Sequence, residues 1–305
     1  MDDHHMPLID TVDMEILMHR DTHFSGSFDA MIEYYLKEGV GVMPDFRVRE
    51  MRRLNKLEEE AGHNLSVLYL PEPAKEHVQQ ACDRYRQLRD LYEKGRKDSI
   101  ALRIADLILS EKVEPVKEMD ALVSPEAVSP LIDLLRTPSL YDPIYPGYGR
   151  TPIFVAKILG RIGDERAIPP LFEAIGQDNF FTDEEMIKVL HLFGDKAALF
   201  LLKRLRSKPL SKDNENAAIA LNAFCDRPDV AKAALDALRE QEIAAQPSLA
   251  SYLIFACSEL LDNKDRKTFI RLKDNHSIPK ACRDDMNLII KSWQGKSNYP
   301  NASRR

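Results

Sequence analysis

The residues able to do chemistry are few and scattered. His19 and His23 stand four apart in HRDTH, with Asp21 between them and the His4-His5 pair nearby in sequence. Two imidazoles one helical turn apart, with a carboxylate, are the raw material of a metal site. A match this short arises by chance in many chains. The acidic stretch around it, MDDHHMPLIDTVDMEILMHRD, reads instead as a weakly ordered, solvated arm over residues 1–26. His63, His77, His191 and His276 are isolated, so neither a metal nor another cofactor is expected. Cys82, Cys225, Cys257 and Cys282 form no CxxC clip. Three of them, Cys82, Cys225 and Cys257, fall on apolar helical stripes, which suits core thiols in a reducing compartment better than nucleophiles. GxSxG, HExxH, Walker A and GxGxxG patterns are absent. PIYPGYG (143–149) has glycines but lacks the Lys-Ser/Thr that would hold a phosphate. Without a convergent reactive set, the reading leans away from an enzyme.

The 305 residues carry a net charge of −6, distributed unevenly. Residues 1–123 hold 17 basic and 25 acidic side chains, a net of −8; residues 124–305 hold 26 and 24, a net of +2. A negative whole argues against nucleic acid or an anionic membrane as partner. There is no long uncharged apolar run and no apolar core near the N-terminus. The sequence therefore predicts no membrane span, no cleaved secretory signal and a cytoplasmic setting, with signal-independent export as an effector left open.

The elements that must position these residues are helical. Glycine is scarce, at 12 residues, and Leu, Ala, Glu, Lys and Arg dominate. FDAMIEYYLKEG (28–39), DFRVREMRRLNKLEEEAGHN (45–64) and PEPAKEHVQQACDRYRQLRDLYEKG (71–95) each show helical apolar spacing. In the last, Val78, Cys82, Tyr85, Leu88 and Tyr92 form the expected stripe. These three make an N-terminal helical segment over residues 27–96. Arg47, Arg49, Arg52, Arg53 and Lys56 read as solvated surface beside the acids at 58–60.

Beyond residue 96 the chain repeats itself. SPEAVSPLIDLL (124–135) aligns with DERAIPPLFEAI (164–175), and GDKAALFLLKRL (194–205) follows the same outline. DRPDVAKAALDALRE (226–240) and NKDRKTFIRLKD (263–274) are weaker copies. Apolar helices at 151–162, 182–193, 214–225 and 247–261 precede the later copies. One helical hairpin per period of this length predicts an all-α protein, an α-solenoid of about five hairpins over residues 97–293 with the N-terminal helices as cap or extension. A closing helix at 278–293 and a disordered tail over 294–305 complete the expectation.

AKILGRIGDERAIPPLFEAIG (156–176) resembles the HEAT-like repeat of the type first described in bilin lyases, through its Ala, Leu-Gly, Ile-Gly-Asp, Ala-Ile and Pro-x-Leu positions. Residues 1–96 do not share the pattern. Many such repeats carry an Arg early in the first helix; here Ile153 stands near that place, with Arg150 upstream. Deoxyhypusine hydroxylases, which are HEAT-like, bind iron through His-Glu dipeptides, and none occurs here. A HEAT-like DNA glycosylase would need a basic groove lined with aromatics, whereas this chain has one Trp, Trp293, and a negative charge.

The resemblance implies a non-catalytic interaction scaffold or adaptor. In such solenoids the second helices line the concave face, and here they carry Lys203, Arg204, Arg206 and Lys208, then Lys267, Arg271 and Lys273. A basic stripe there would take an acidic segment of another protein; the flanking Asp213, Glu215 and Asp265 leave plain solvation as the competing reading. The loop RTPSLYDPIYPGYGRTP (136–152) offers Tyr141, Tyr145 and Tyr148 either as partner contacts or as packing for a stiff connector. The partner-binding set is thus Tyr141, Tyr145, Tyr148, Lys203, Arg204, Arg206, Lys267 and Arg271. Two alternatives stay open: a bilin-lyase-like enzyme subunit acting with a partner chain, and nucleic-acid binding through the basic stripe.

Overall fold

The computed structural model describes residues 9–38, 43, 46–96, 98–110, 112, 114–176 and 180–297. Among them are eighteen α-helices and no strand. No helix among the described residues is long and apolar enough to cross a membrane. The chain divides into two compact units, residues 1–158 and 159–305. The boundary expected after residue 96 lies inside the first unit, where the next helix packs back onto the long helix before it.

The first unit contains α1 (Thr11–His23), α2 (Phe28–Glu38), α3 (Val48–Ala61), α4 (Leu65–Tyr69), α5 (Glu72–Lys94), α6 (Ile100–Ile108), α7 (Val116–Asp120) and α8 (Val128–Leu135); α9 (Thr151–Ile162) carries the chain into the second unit. Polar side chains set the helix starts. Asp10 and Asp13 form a reciprocal capping box on α1, Asn64 accepts from the first amides of α4, and Ser99 caps α6. Ile16 and Leu17 of α1 are fully buried with Met31, Met51, Leu54 and Leu65. Residues 9–26 are thus not the weakly ordered arm predicted from their charge: α1 packs on α3, α4 and α5 and forms the middle of this core. Residues 1–8, with His4 and His5, lie outside the described residues. The α5 stripe also differs from expectation. Ala81 is its one fully buried residue; Cys82, Tyr85 and Leu88 are half-buried and Tyr92 is exposed.

The second unit contains α10 (Ile168–Glu173), α11 (Phe180–Leu192), α12 (Asp195–Leu205), α13 (Lys212–Leu221), α14 (Pro228–Leu238), α15 (Gln241–Ala244), α16 (Pro247–Ala256), α17 (Asn263–Leu272) and α18 (Lys280–Ser297). These are the helices the repeat alignment predicts, with the short α15 added. Packing runs along the chain: α10 on α11, α12 on α13, α13 and α14 on α16, and α16 on α18. Polar contacts follow the same order. Glu165 pairs with Lys196 and Asp195 with Arg227. Asn216 Nδ2 donates to Ile175 O (3.0 Å), Asn222 Nδ2 to Tyr252 O (3.2 Å) and Trp293 Nε1 to Ser258 O (2.7 Å). Each joins residues 30 to 41 positions apart. The fully buried Asn214 fixes the shorter connection between α12 and α13, its amide donating to the Leu205 and Ser207 carbonyls, both at 2.9 Å. Helix α18 runs to Ser297, so helix replaces the expected disorder over 294–297; residues 298–305 lie outside the described residues.

Close approach has a sequence cause at Gly160. A Cβ there would lie 2.9 Å from Val189 Cγ1 on α11, a stiff β-branched side chain that cannot swing away. Gly160→Val is therefore expected to cost about 1–3 kcal/mol of unfolding free energy. Leu199→Ala, at an exposed position, should change it by less than about 0.5 kcal/mol. Urea unfolding of both variants checks the contrast.

Candidate binding groove and basic helix face

Burial of α1 brings a charged and a neutral polar cluster into the first unit. Arg20 is 0% exposed, and each of its three guanidinium nitrogens is hydrogen-bonded. It donates to Asp21 (2.8 Å), Glu58 (2.7 Å), Asn64 Oδ1 (3.2 Å) and Ser66 Oγ (3.0 Å), and lies 4.5 Å from the Phe28 ring centroid. Removing one side of such a set leaves an unpaired buried charge, at a cost of about 3–5 kcal/mol. Arg53, expected as solvated surface, instead pairs with the buried Asp13.

His19 and His23 sit one turn apart on the same face, ring centroids 4.4 Å apart. They are not arranged as metal ligands. His23 Nε2 lies 3.1 Å from Pro143 O, an obligate acceptor, so this nitrogen carries the proton, and Nδ1 accepts from the Tyr85 hydroxyl at 2.6 Å. Both ring nitrogens are thereby occupied. His19 Nε2 shares a hydrogen bond with Tyr35 Oη (3.2 Å), and its ring packs among Phe24, Phe46 and Tyr148. Among the described residues no group of three or more His, Cys, Asp or Glu could hold a metal ion. Burial lowers His19 to about 2, with the His23 charge adding to the effect, and lowers His23 to about 4 against the partial support of Pro143 O.

His23 also locates the 136–152 loop. Tyr148 stacks on the His23 ring at 4.3 Å. The Tyr145 hydroxyl donates to Gln80 Oε1 (3.1 Å), Asp142 lies 2.8 Å from His77 Nε2, and the Tyr141 hydroxyl donates to Leu135 O (2.7 Å). The turn is tight: Gly147, Tyr148 and Gly149 all have positive φ, and a Cβ on Gly149 would meet Tyr141 O at 2.7 Å. The three tyrosines therefore do not project as free contacts. Tyr141 packs back on the preceding helix, Tyr145 on α5 and Tyr148 on α1, because each ring finds a hydrogen-bond or stacking partner inside the first unit.

The clamped loop walls a groove of about 480 Å³. Leu88 and Leu91 of α5, Ile104 and Ile108 of α6, Leu134 of α8, and Leu140, Tyr145 and Pro146 of the loop supply an apolar lining. Arg84, Gln87, Thr137 and Ser139 are the polar lining residues. Of the sequence-predicted site residues, only Tyr145 reaches this groove. The signal that could have found it is the spacing of Arg84, Gln87, Leu88 and Leu91 at i, i+3, i+4 and i+7 on one helix face. A second, more polar depression of about 740 Å³ is lined by Arg103, Asp106, Lys112, Lys117 and Glu118, with Lys112 and Glu118 paired at 2.7 Å.

In the second unit, Lys203, Arg206, Lys267 and Arg271 are exposed. Arg204 is half-buried, its guanidinium 5.2 Å from the Phe200 centroid and 5.9 Å from that of Phe172, with Asp213 at 3.8 Å. Lys208 is engaged by Glu240 (2.9 Å) and Glu242 (3.2 Å). The thiols are unsuited to nucleophilic work. Burial raises Cys82, Cys257 and Cys282 above the ordinary thiol value, so all three stay protonated near neutrality.

At residues 160–170 Gly163 takes φ +72° in the turn, Asp164 accepts from the Arg166 amide, and Pro169 and Pro170 occupy the first turn of α10. Residues 153–176 match the family model of the PBS lyase HEAT-like repeat. The chain carries a HEAT-like repeat. The match covers the segment whose residues carry the resemblance, and the turn, cap and prolines of this HEAT-like hairpin are structural. No curated protein and no solved structure matches the chain.

The buried histidines give a signed pH dependence. In the unfolded chain an imidazole titrates near 6.5; in the fold His23 stays neutral down to about 4. The unfolded state therefore binds the extra proton as pH falls, and stability is lost from about pH 6.5 downward, levelling below the folded value. His23 alone accounts for on the order of 3 kcal/mol of that loss. Urea midpoints of wild type and His23→Gln, compared between about pH 7 and pH 4, should show a shallower slope in the variant; equal slopes would contradict the neutral, buried assignment.

Proposed function

We propose that this protein is a non-catalytic interaction scaffold in which HEAT-like hairpins stack as an α-solenoid and present their second helices to an acidic segment of another protein. The observation that carries the reading is the register of the polar contacts in the second unit. Glu165–Lys196 and Asp195–Arg227 join equivalent places in successive hairpins, 31 and 32 residues apart, as a one-dimensional stack requires. Lys203, Arg206, Lys267 and Arg271 are exposed cations on second helices or their ends, while Arg204 adds a half-buried, ring-stacked guanidinium. The 136–152 loop takes a different part from the one its tyrosines suggest: it shapes the first unit rather than reaching out. The bilin-lyase-like alternative rests on the matched repeat alone.

The test is affinity capture from native lysate, with and without nuclease, using wild type and a variant in which Lys203, Arg206, Lys267 and Arg271 are all changed to Glu. Arg204 is left intact because its stacking contributes to the fold. A protein retained by wild type under both conditions and lost by the variant is the expected result. Capture abolished by nuclease would assign the stripe to nucleic acid, and equal capture by both forms would remove it as a binding face.

A further inference from the structure

We infer that the groove between α5, α6, α8 and the 136–150 loop is a docking site for an amphipathic helical segment of a partner protein, one that carries a carboxylate beside its apolar face. The site is separate in sequence and in composition from the basic helix face, and the inference does not depend on that face binding anything.

Four observations carry it. The first is size and lining: about 480 Å³, walled by Leu88, Leu91, Ile104, Ile108, Leu134 and Leu140, lies within the range of formed binding pockets, which combine an apolar lining with a few placed polar groups. The second is access. Leu91 is 36% exposed, and Arg84 and Gln87 are exposed beside it. An occupant would bury one face and leave the other in water, which suits an amphipathic helix better than a wholly apolar small molecule. The third is spacing. Arg84, Gln87, Leu88 and Leu91 run along α5 for about two turns, ~10 Å, the rise over which a docked helix presents its own i, i+3 or i+4, and i+7 anchors. The fourth is charge. Arg84 is the one formally charged lining residue, and its guanidinium donates to Gln87, a neutral amide, at 2.9 Å. Neighbouring acids are otherwise engaged: Asp83 with Arg86, Asp90 with Lys94 at 3.1 Å, and Asp142, which accepts from the Ile144 amide at 2.9 Å. A carboxylate at that end of the groove would complement the cation, and a bidentate pair with arginine would fix the register of the docked helix.

The loop supplies one wall of this site and His23 holds the loop, so the polar cluster of α1 acts as a positioning group for a surface it does not itself form. That gives the buried His23–Pro143 and His23–Tyr148 contacts a consequence beyond stability.

The experiment uses the full-length protein and a fluorescein-labelled helical peptide of about twelve residues, with leucines at i, i+4 and i+7 and one glutamate a turn before them. Controls are the same peptide with lysine in place of the glutamate, and a scrambled sequence of equal composition. Fluorescence polarisation should show saturable binding of the glutamate peptide and at least about tenfold weaker binding of the scrambled one. Leu91→Asp, at a surface position that does not threaten folding, should weaken binding by at least about tenfold. Arg84→Glu should reverse the preference in favour of the lysine peptide, an outcome a merely structural Arg84 would not give. The variant with all four basic residues of the second unit changed to Glu should bind the peptide as wild type does, which separates this site from the proposed basic face. Absence of saturable binding, equal binding of the scrambled peptide, or an unchanged preference in Arg84→Glu would overturn the proposal. So would a concentration-dependent dimer that dissociates in Leu91→Asp, which would assign the groove to a second copy of this chain.

Discussion

A two-helix hairpin buries one apolar stripe and leaves another exposed, and everything in the second unit follows from where that second stripe is covered. The second helices here are short and apolar: α10 buries Ile168, Leu171 and Phe172, and α12 buries Ala197, Ala198, Leu201 and Leu205. Neither could persist alone, since isolated helices of this length are marginal in water. Helices close by in sequence supply the cover, and small residues let them come close. Gly160 admits Val189, and the alanines of α13 and α14 are buried. The ion pairs and amide bonds between hairpins add little stability where they are exposed, but they mark the register in which the apolar faces meet.

The first unit solves the same problem differently. Its central helix, α1, has a weak apolar stripe and buries Arg20 and His19. The Arg20 guanidinium and His19 Nε2 meet hydrogen-bond partners from other elements, while His19 Nδ1 is buried without one. Arg20 is held by residues on α3 and at the start of α4, and both ring nitrogens of His23 by α5 and the loop. That loop then becomes structure, and the groove it walls depends on polar contacts that are buried and well formed rather than on its own stiffness.

These two solutions explain what was legible in the sequence. The second unit was, because its helices pack chiefly on helices near them in sequence, so periodicity, the Gly163-Asp164 turn and the paired prolines specify it locally. The helices of residues 151–274 lie where the repeat alignment puts them. Helix α1 was not legible: charge and histidine content argued for solvent, and nothing local reveals that Glu58, Asn64 and Ser66 will surround Arg20. The tyrosine loop was identified as a feature, but the choice between partner contact and packed connector could not be read from the sequence, since its anchors, His23, His77 and Gln80, lie more than sixty residues upstream. The groove went unseen for the same reason. Its residues come from three helices and a loop, and only the α5 quartet has a local pattern.

The stacking register is the claim on which the functional reading rests, and zero-length carbodiimide cross-linking reads it directly, because that chemistry joins a lysine to a carboxylate only where the two already touch. Peptide mapping of the cross-linked, folded protein should recover Lys196 joined to Glu165 and Lys208 joined to Glu240 or Glu242, and lose both products when the reaction is run in denaturant. Recovery of Lys196 and Lys208 joined instead to acids outside the neighbouring hairpin, with these pairs absent, would contradict the stacked arrangement.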